Sequence, residues 1–199
     1  MKTGFLLIVA MVLGMTAAEI IGQALPNKGP HQFPHQYTAP DGGAYVMVVP
    51  VSKEAGRAEY ESRIEFHSND GKISCALDYS SEDSEHGYGV VKAAWTPDSR
   101  YFVYSLASSG GHQAWHAPTQ FLNREDGKVR TLDDYFESGI SDADFQVVAP
   151  HTVETEVLED KHIPVSVNLA ALPPLRSWRK SQPFSMDCTG GHVFRPDQP

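Results

Sequence analysis

The residues best suited to chemistry in this chain stand in one short segment, GGHQAWHAP, which begins at position 110. Its two glycines let the backbone approach another group closely, and two histidines and a tryptophan follow them. Imidazole and indole side chains supply hydrogen bonds and a broad apolar contact surface. The segment therefore predicts a ligand-binding rim, to which two aromatic residues of neighbouring strands would add. The candidate binding residues are His112, Trp115, His116, Tyr88 and Tyr101.

The same two histidines also allow a metal site. His112 and His116 stand four residues apart, and on an irregular loop both imidazoles can converge on one ion, with Asp98 or Glu82 as a third ligand. The glutamate of the HExxH motif is missing from this pattern. The structural alternative has both imidazoles bonded to loop carbonyls while Trp115 fills an edge of the core.

We favour a non-enzymatic binding or interaction module that uses no cofactor, with an unidentified protein or small molecule as its partner. The chain contains neither a GxSxG nucleophile motif nor a P-loop. Two alternatives stay open. One is a small metal-dependent hydrolase that uses His112 and His116. The other is a structural accessory of an envelope assembly, docking through an open sheet edge.

The charge pattern argues against two classes of partner. The chain of 199 residues carries a formal net charge of −9, and 21% of its residues are charged. Nucleic acids and anionic membranes attract clustered lysine and arginine. Because the densest basic patch consists only of Arg176, Arg179 and Lys180, we expect neither partner.

The first 24 residues have the composition of a signal peptide. Lys2 precedes the apolar run Phe5–Met15, which is too short to span a bilayer, and small residues then allow cleavage after Ala18 or Ala24. An uncleaved anchor is the alternative. No later stretch is long and apolar enough to cross a membrane. We therefore expect a periplasmic or secreted protein with no membrane span after the signal is removed.

The two cysteines, Cys75 and Cys188, are candidates for a disulfide, which an exported chain permits. The bridge would close a loop of more than a hundred residues and tie the C-terminal tail to the body of the protein. Two unpaired thiols are the alternative, with Cys75 buried on a strand.

The expected scaffold is all-β. The strands fall within residues 41–172, between a flexible lead-in rich in proline and histidine at 25–40 and an irregular tail at 173–199. In the run 100–107, aromatic side chains stand at both odd and even positions. That pattern predicts a strand covered on both faces.

The sequence also predicts an internal repeat. NDGKI at 69–73 recurs 56 residues later as EDGKV at 125–129, and each Asp-Gly pair predicts a tight hairpin. Each unit, at about 41–80 and 97–136, consists of a turn, a strand, a loop, a strand, the hairpin and a strand. Coincidence is the alternative, because Asp-Gly-Lys is common in hairpins.

The stretch AWTPDSRYFVY, at 94–104, resembles the strand-turn-strand pattern of TolB-like β-propeller blades, in which Trp-Ser-Pro-Asp-Gly precedes an apolar and aromatic strand. The resemblance covers about 90–132 and, weakly, 40–79. It implies antiparallel blade-like meanders and no catalytic residue. Because the chain is too short for the four blades that a propeller needs, we expect an open propeller-like domain or a sandwich. The segment GGHQAWHAPT also looks like one found in exported bacterial proteins, which implies no function.

Overall fold

The structure is a computed structural model that describes residues 34–51, 61–111, 113–136, 138–148, 150–172 and 185–195. Within these ranges the chain is nearly all β, as predicted, with two short 3-10 helices at Leu132–Tyr135 and Leu169–Ala171. The strands, in chain order, are β1 (His35–Thr38), β2 (Ala44–Val51), β3 (Glu61–Ser68), β4 (Ser74–Asp78), β5 (Tyr88–Trp95), β6 (Tyr101–Ser108), β7 (Thr119–Asn123), β8 (Lys128–Thr131), β9 (Gln146–Val148), β10 (Thr152–Leu158), β11 (His162–Asn168), β12 (Ser185–Asp187) and β13 (His192–Phe194).

These strands form three sheets. Sheet A has the order β1-β2-β3-β4-β13, sheet B the order β12-β8-β7-β6-β5, and sheet C the order β11-β10-β9. Neighbouring strands are antiparallel except β13, which runs parallel to β4. Sheets A and B are therefore each a meander of four consecutive strands with a fifth strand contributed by the C-terminal tail. The predicted sequence repeat and the likeness to TolB blades remain predictions.

Sheet B is the middle layer, because β6 is buried on both faces. Phe102, Tyr104 and Leu106 belong to the core shared with sheet A, whereas Tyr101 and Val103 belong to the core shared with sheet C. The first six residues of β6 are all buried. The alternation of aromatic residues predicted this double coverage, and the structure confirms it. Sheets A and B consequently pack face to face as a sandwich.

A polar network crosses the core between sheets A and B. The Tyr79 hydroxyl lies 2.9 Å from the Tyr104 hydroxyl, and both hydroxyls donate to Oε1 of Gln120, at 2.6 and 2.7 Å. Burial raises the pKa of both phenols well above the usual value. The two rings therefore stay neutral and satisfy their polar atoms inside an apolar core.

The disulfide Cys75–Cys188 joins the tail to the body, as the sequence predicted. Cys188 follows β12 and precedes β13, so the tail passes from the edge of sheet B to the edge of sheet A at this residue. The backbone N–H of Cys188 donates to Gly127 in one hairpin, and its carbonyl accepts from Ser74 after the other, at 2.7 and 3.0 Å. The tail is thus anchored to both Asp-Gly hairpins.

Two segments are more regular than the sequence predicted. His35–Thr38 lie in the expected flexible lead-in but form β1, which pairs with β2. The carbonyl of Tyr37 accepts a hydrogen bond of 3.0 Å from the indole of Trp95, which holds this strand over sheet B. Ser185–Asp187, in the expected irregular tail, form β12 against β8. Both strands depend on partners distant in the sequence, so local composition could not indicate them.

Alkaline pH should destabilise the protein steeply. Unfolded tyrosines ionise near pH 10.0, whereas Tyr79 and Tyr104 stay protonated in the fold, so their contribution to stability is present below pH 10.0 and is lost as the pH rises above it. Urea unfolding on either side of pH 10.0, for the wild type and for Tyr79→Phe, measures this effect. We expect a shallower alkaline decline in the variant; equal slopes would contradict the prediction.

Removing the disulfide should cost about 4–5 kcal/mol of unfolding free energy by loop entropy, because the bridge spans 113 residues. Urea titrations of the oxidised protein and of the double variant Cys75→Ala/Cys188→Ala measure the difference. The double variant also provides the control, since added dithiothreitol should not alter its midpoint. Equal stability of the oxidised wild type and the double variant would contradict the prediction.

Candidate binding site

The rim loop, defined here as residues 109–111 and 113–118 between β6 and β7, lies beside the β4–β5 loop. The backbone N–H of Ser109 donates to the carbonyl of Gly87 at 2.9 Å, and the N–H of Gly87 lies 3.2 Å from Oγ of Ser109. The acidic segment 80–86 and the rim loop are therefore neighbours, although more than twenty residues separate them in sequence.

Trp115 is the most exposed large apolar residue of the described chain, with 63% of its surface accessible. The structural alternative, in which it fills an edge of the core, is therefore wrong. The next in exposure is Val193, at 58%, on the tail strand β13. Because most of its surface is in water, the indole of Trp115 contributes little apolar burial to the fold and stays accessible to a partner.

The base of the rim loop is fixed by a buried carboxylate. Nε2 of His116 lies 2.7 Å from Oδ1 of Asp133. The same carboxylate accepts hydrogen bonds from the backbone N–H groups of Thr119 and Ile140, both at 2.9 Å. Asp133 reaches these donors because it sits in the 3-10 helix after β8, which turns its side chain inward. His116 therefore bonds a carboxylate rather than a loop carbonyl.

The two candidate tyrosines have different positions. Tyr88 begins β5, and its hydroxyl donates to Oε1 of Gln113 in the rim loop at 3.3 Å. Burial raises its pKa. Tyr101 is only 2% exposed and packs in the core between sheets B and C. This placement corrects its assignment to the rim, because the aromatic face that could meet a ligand is already covered.

The metal-site residues are not assembled as a set in the described chain. Asp98 lies in the β5–β6 turn, at the opposite end of β6 from the rim loop, and Oδ2 of Asp98 lies 2.8 Å from Nδ1 of His151. His112 lies outside the described residues. Among the residues that are described, no group of three or more His, Cys, Asp or Glu side chains could hold a metal ion. A site that includes His112 remains a prediction, with Asp98 removed from it.

Sequence reasoning missed Glu61, whose carboxylate organises this end of the molecule. It is 2% exposed and accepts hydrogen bonds from the N–H and hydroxyl of Ser81, the N–H of Gly87 and the hydroxyl of Ser109, at 2.5 to 2.9 Å. A Cβ at Gly87 would lie 2.3 Å from Oε1 of Glu61, so only glycine permits this approach. The local sequence did not indicate that Glu61 is buried, because a glutamate at the start of a strand is usually exposed.

Glu61 and Asp133 together brace the rim loop at its two ends. Glu61 holds Ser109, where the loop begins, and Asp133 holds His116 and Thr119, where it ends. Loops tied down by charge-assisted hydrogen bonds lose less conformational entropy when they bind. The arrangement therefore presents Trp115 from a rigid base.

Comparison with known protein families, curated proteins and solved structures finds no match to this chain. Within the described residues, no helix has the length and apolar character needed to cross a membrane.

Removing the Asp133 carboxylate should loosen the rim loop and destabilise the fold. Asp133→Ala leaves two backbone N–H groups and one imidazole without their acceptor, so we expect a loss of about 3–5 kcal/mol in urea unfolding. Asp144→Ala is the matched control, because the side chain of Asp144 is exposed and forms an ion pair with Lys92. The loss of stability in this variant should stay below about 1 kcal/mol. Similar losses in both variants would contradict the role of Asp133.

Proposed function

We propose that this protein is an exported, non-enzymatic binding module that holds a partner through the rim loop, with Trp115 as the central contact. The observation that carries the proposal is an indole 63% exposed on a loop whose two ends are tied to buried carboxylates. Tryptophan is enriched among the residues that dominate binding energy.

The carboxylates that hold the two ends of the rim loop suit a binding role better than a catalytic one. The carboxylates of Glu61 and Asp133 face backbone N–H and hydroxyl donors that hold loops in place. Both carboxylates are buried and bonded to donors of the fold, which supports a structural role for them. Gln113, two residues before Trp115 on the same loop, accepts from Tyr88 and carries an amide N–H₂ group that can orient a ligand.

Export is supported by the disulfide and by the N-terminal composition. Disulfides persist in oxidising compartments, and Cys75–Cys188 joins distant parts of this chain. The predicted signal peptide, residues 1–24, lies outside the described residues. These two observations support a location in the periplasm or outside the cell, which we propose for this protein.

The test is a comparison of Trp115→Ala with Val193→Ala, which truncates the other highly exposed apolar side chain. Immobilised wild-type protein would first be used to isolate a partner from an envelope extract, and the purified partner would then be titrated calorimetrically against each variant. We expect Trp115→Ala to weaken binding about 30-fold or more and Val193→Ala to leave it unchanged.

Two outcomes would overturn the proposal. One is a partner that binds Trp115→Ala as tightly as the wild type. The other is turnover of a substrate by the purified protein that Trp115→Ala or His116→Ala abolishes, which would identify the loop as part of an enzyme.

A further inference from the structure

A second polar site lies at the other end of sheet B, where turns from all three sheets meet. It is an open cleft of about 530 Å³, within the size range of small-ligand sites. Sheet A contributes the β1–β2 turn, sheet B contributes the β5–β6 and β7–β8 turns, and His151 before β10 of sheet C bonds one of the lining carboxylates. The lining residues are Asp41, Asp98, Ser99, Arg100, Arg124 and Glu125.

Two ion pairs form the sides of the cleft. Nη1 of Arg124 lies 2.6 Å from Oδ2 of Asp41, and Nη2 of Arg100 lies 2.8 Å from Oε2 of Glu125. Each guanidinium carries five N–H donors, so each keeps donors beyond those that its carboxylate uses. Each paired carboxylate likewise keeps lone pairs. Each ion pair therefore keeps both donors and acceptors for a ligand.

One residue that lines the cleft, Ser99, has a strained backbone and connects two sheets. Ser99 is buried and has a φ of 62°, in the left-handed region that favours glycine. Its Oγ accepts the backbone N–H of Asp41 at 3.0 Å, which glycine could not do. The strain is therefore offset by a bond that joins the β5–β6 turn to sheet A, as at sites where surrounding structure holds a fixed geometry.

The position of the Arg124 guanidinium depends on Gly43, which has no side chain to block it. A Cβ built on Gly43 would lie 2.2 Å from Nη2 of Arg124, so the guanidinium lies directly against this backbone. Gly43 has no positive φ, unlike its neighbour Gly42. Its lack of a side chain therefore serves the close approach of Arg124, not an unusual backbone angle.

The charges that line the cleft nearly cancel, and this balance favours a neutral ligand over an ion. Three carboxylates face two guanidiniums, and hydrogen bonds from Gly43 and Arg124 lower the pKa of Asp41, so its pair stays ionised at neutral pH. A free anion or cation would meet like charge as well as opposite charge. A neutral molecule with adjacent hydroxyls can donate to a carboxylate and accept from the guanidinium beside it.

From this geometry we propose that the cleft binds a neutral sugar through its vicinal hydroxyls. Arg100–Glu125 and Arg124–Asp41 each contact one pair of hydroxyls, and Ser99 holds the two turns at a fixed spacing. The site is independent of the rim loop, from which it is separated by the length of β6.

The test measures saturable binding of glucose, galactose, N-acetylglucosamine and maltose by ligand-observed NMR and calorimetry. Gly43→Ala is the informative variant, because it displaces the Arg124 guanidinium while every charged group remains. Arg100→Ala removes the second guanidinium from an exposed position, so the fold should survive. We expect at least one sugar to bind the wild type, both variants to bind it at least tenfold more weakly, and Val193→Ala to bind it unchanged.

Three results would overturn the proposal. The first is no saturable binding of any of the four sugars by folded wild-type protein. The second is binding that Gly43→Ala and Arg100→Ala both retain. The third is binding that Trp115→Ala alone abolishes, which would place the sugar on the rim loop and leave the proposed function standing.

Discussion

The fold depends on one constraint, which is that strand β6 must be covered on both faces. Its first six residues are buried, with aromatic side chains pointing to both sides of sheet B. Each such ring removes a large apolar area from water, so leaving either face open would cost several kcal/mol. Sheet A covers one face and sheet C the other. The three-layer arrangement follows from this single strand.

The C-terminal tail replaces two longer sheet edges with strands of only three residues, and very short edge strands offer less for another chain to pair with. Each meander would end in an open edge, at β4 in sheet A and at β8 in sheet B, and such edges invite pairing with other chains. The tail supplies β12 to one edge and β13 to the other, and Cys188 stands between the two strands. The disulfide to Cys75 therefore secures both edge strands at once.

The two ends of sheet B differ in chemistry because their turns carry different residues. At one end, the carboxylates of Glu61 and Asp133 are buried and bonded to the rim loop, and the indole of Trp115 is exposed. At the other end, the charged side chains of the turns pair across an open cleft. One end therefore exposes an apolar side chain, and the other exposes paired charges.

Local pattern by itself determined the all-β class, the two Asp-Gly hairpins and the double coverage of β6, because alternation along a strand reports which faces are buried. It also identified Trp115 and His116 as neighbours on one loop, and the cysteines as partners.

The burial of Glu61, the pairing of His116 with Asp133, and the separation of Asp98 from the rim loop were decided only by tertiary structure. Asp98 meets His151, 53 residues away, because two sheets pack there. Contacts of this kind depend on how the sheets pack against each other, and no short stretch of sequence specifies that packing.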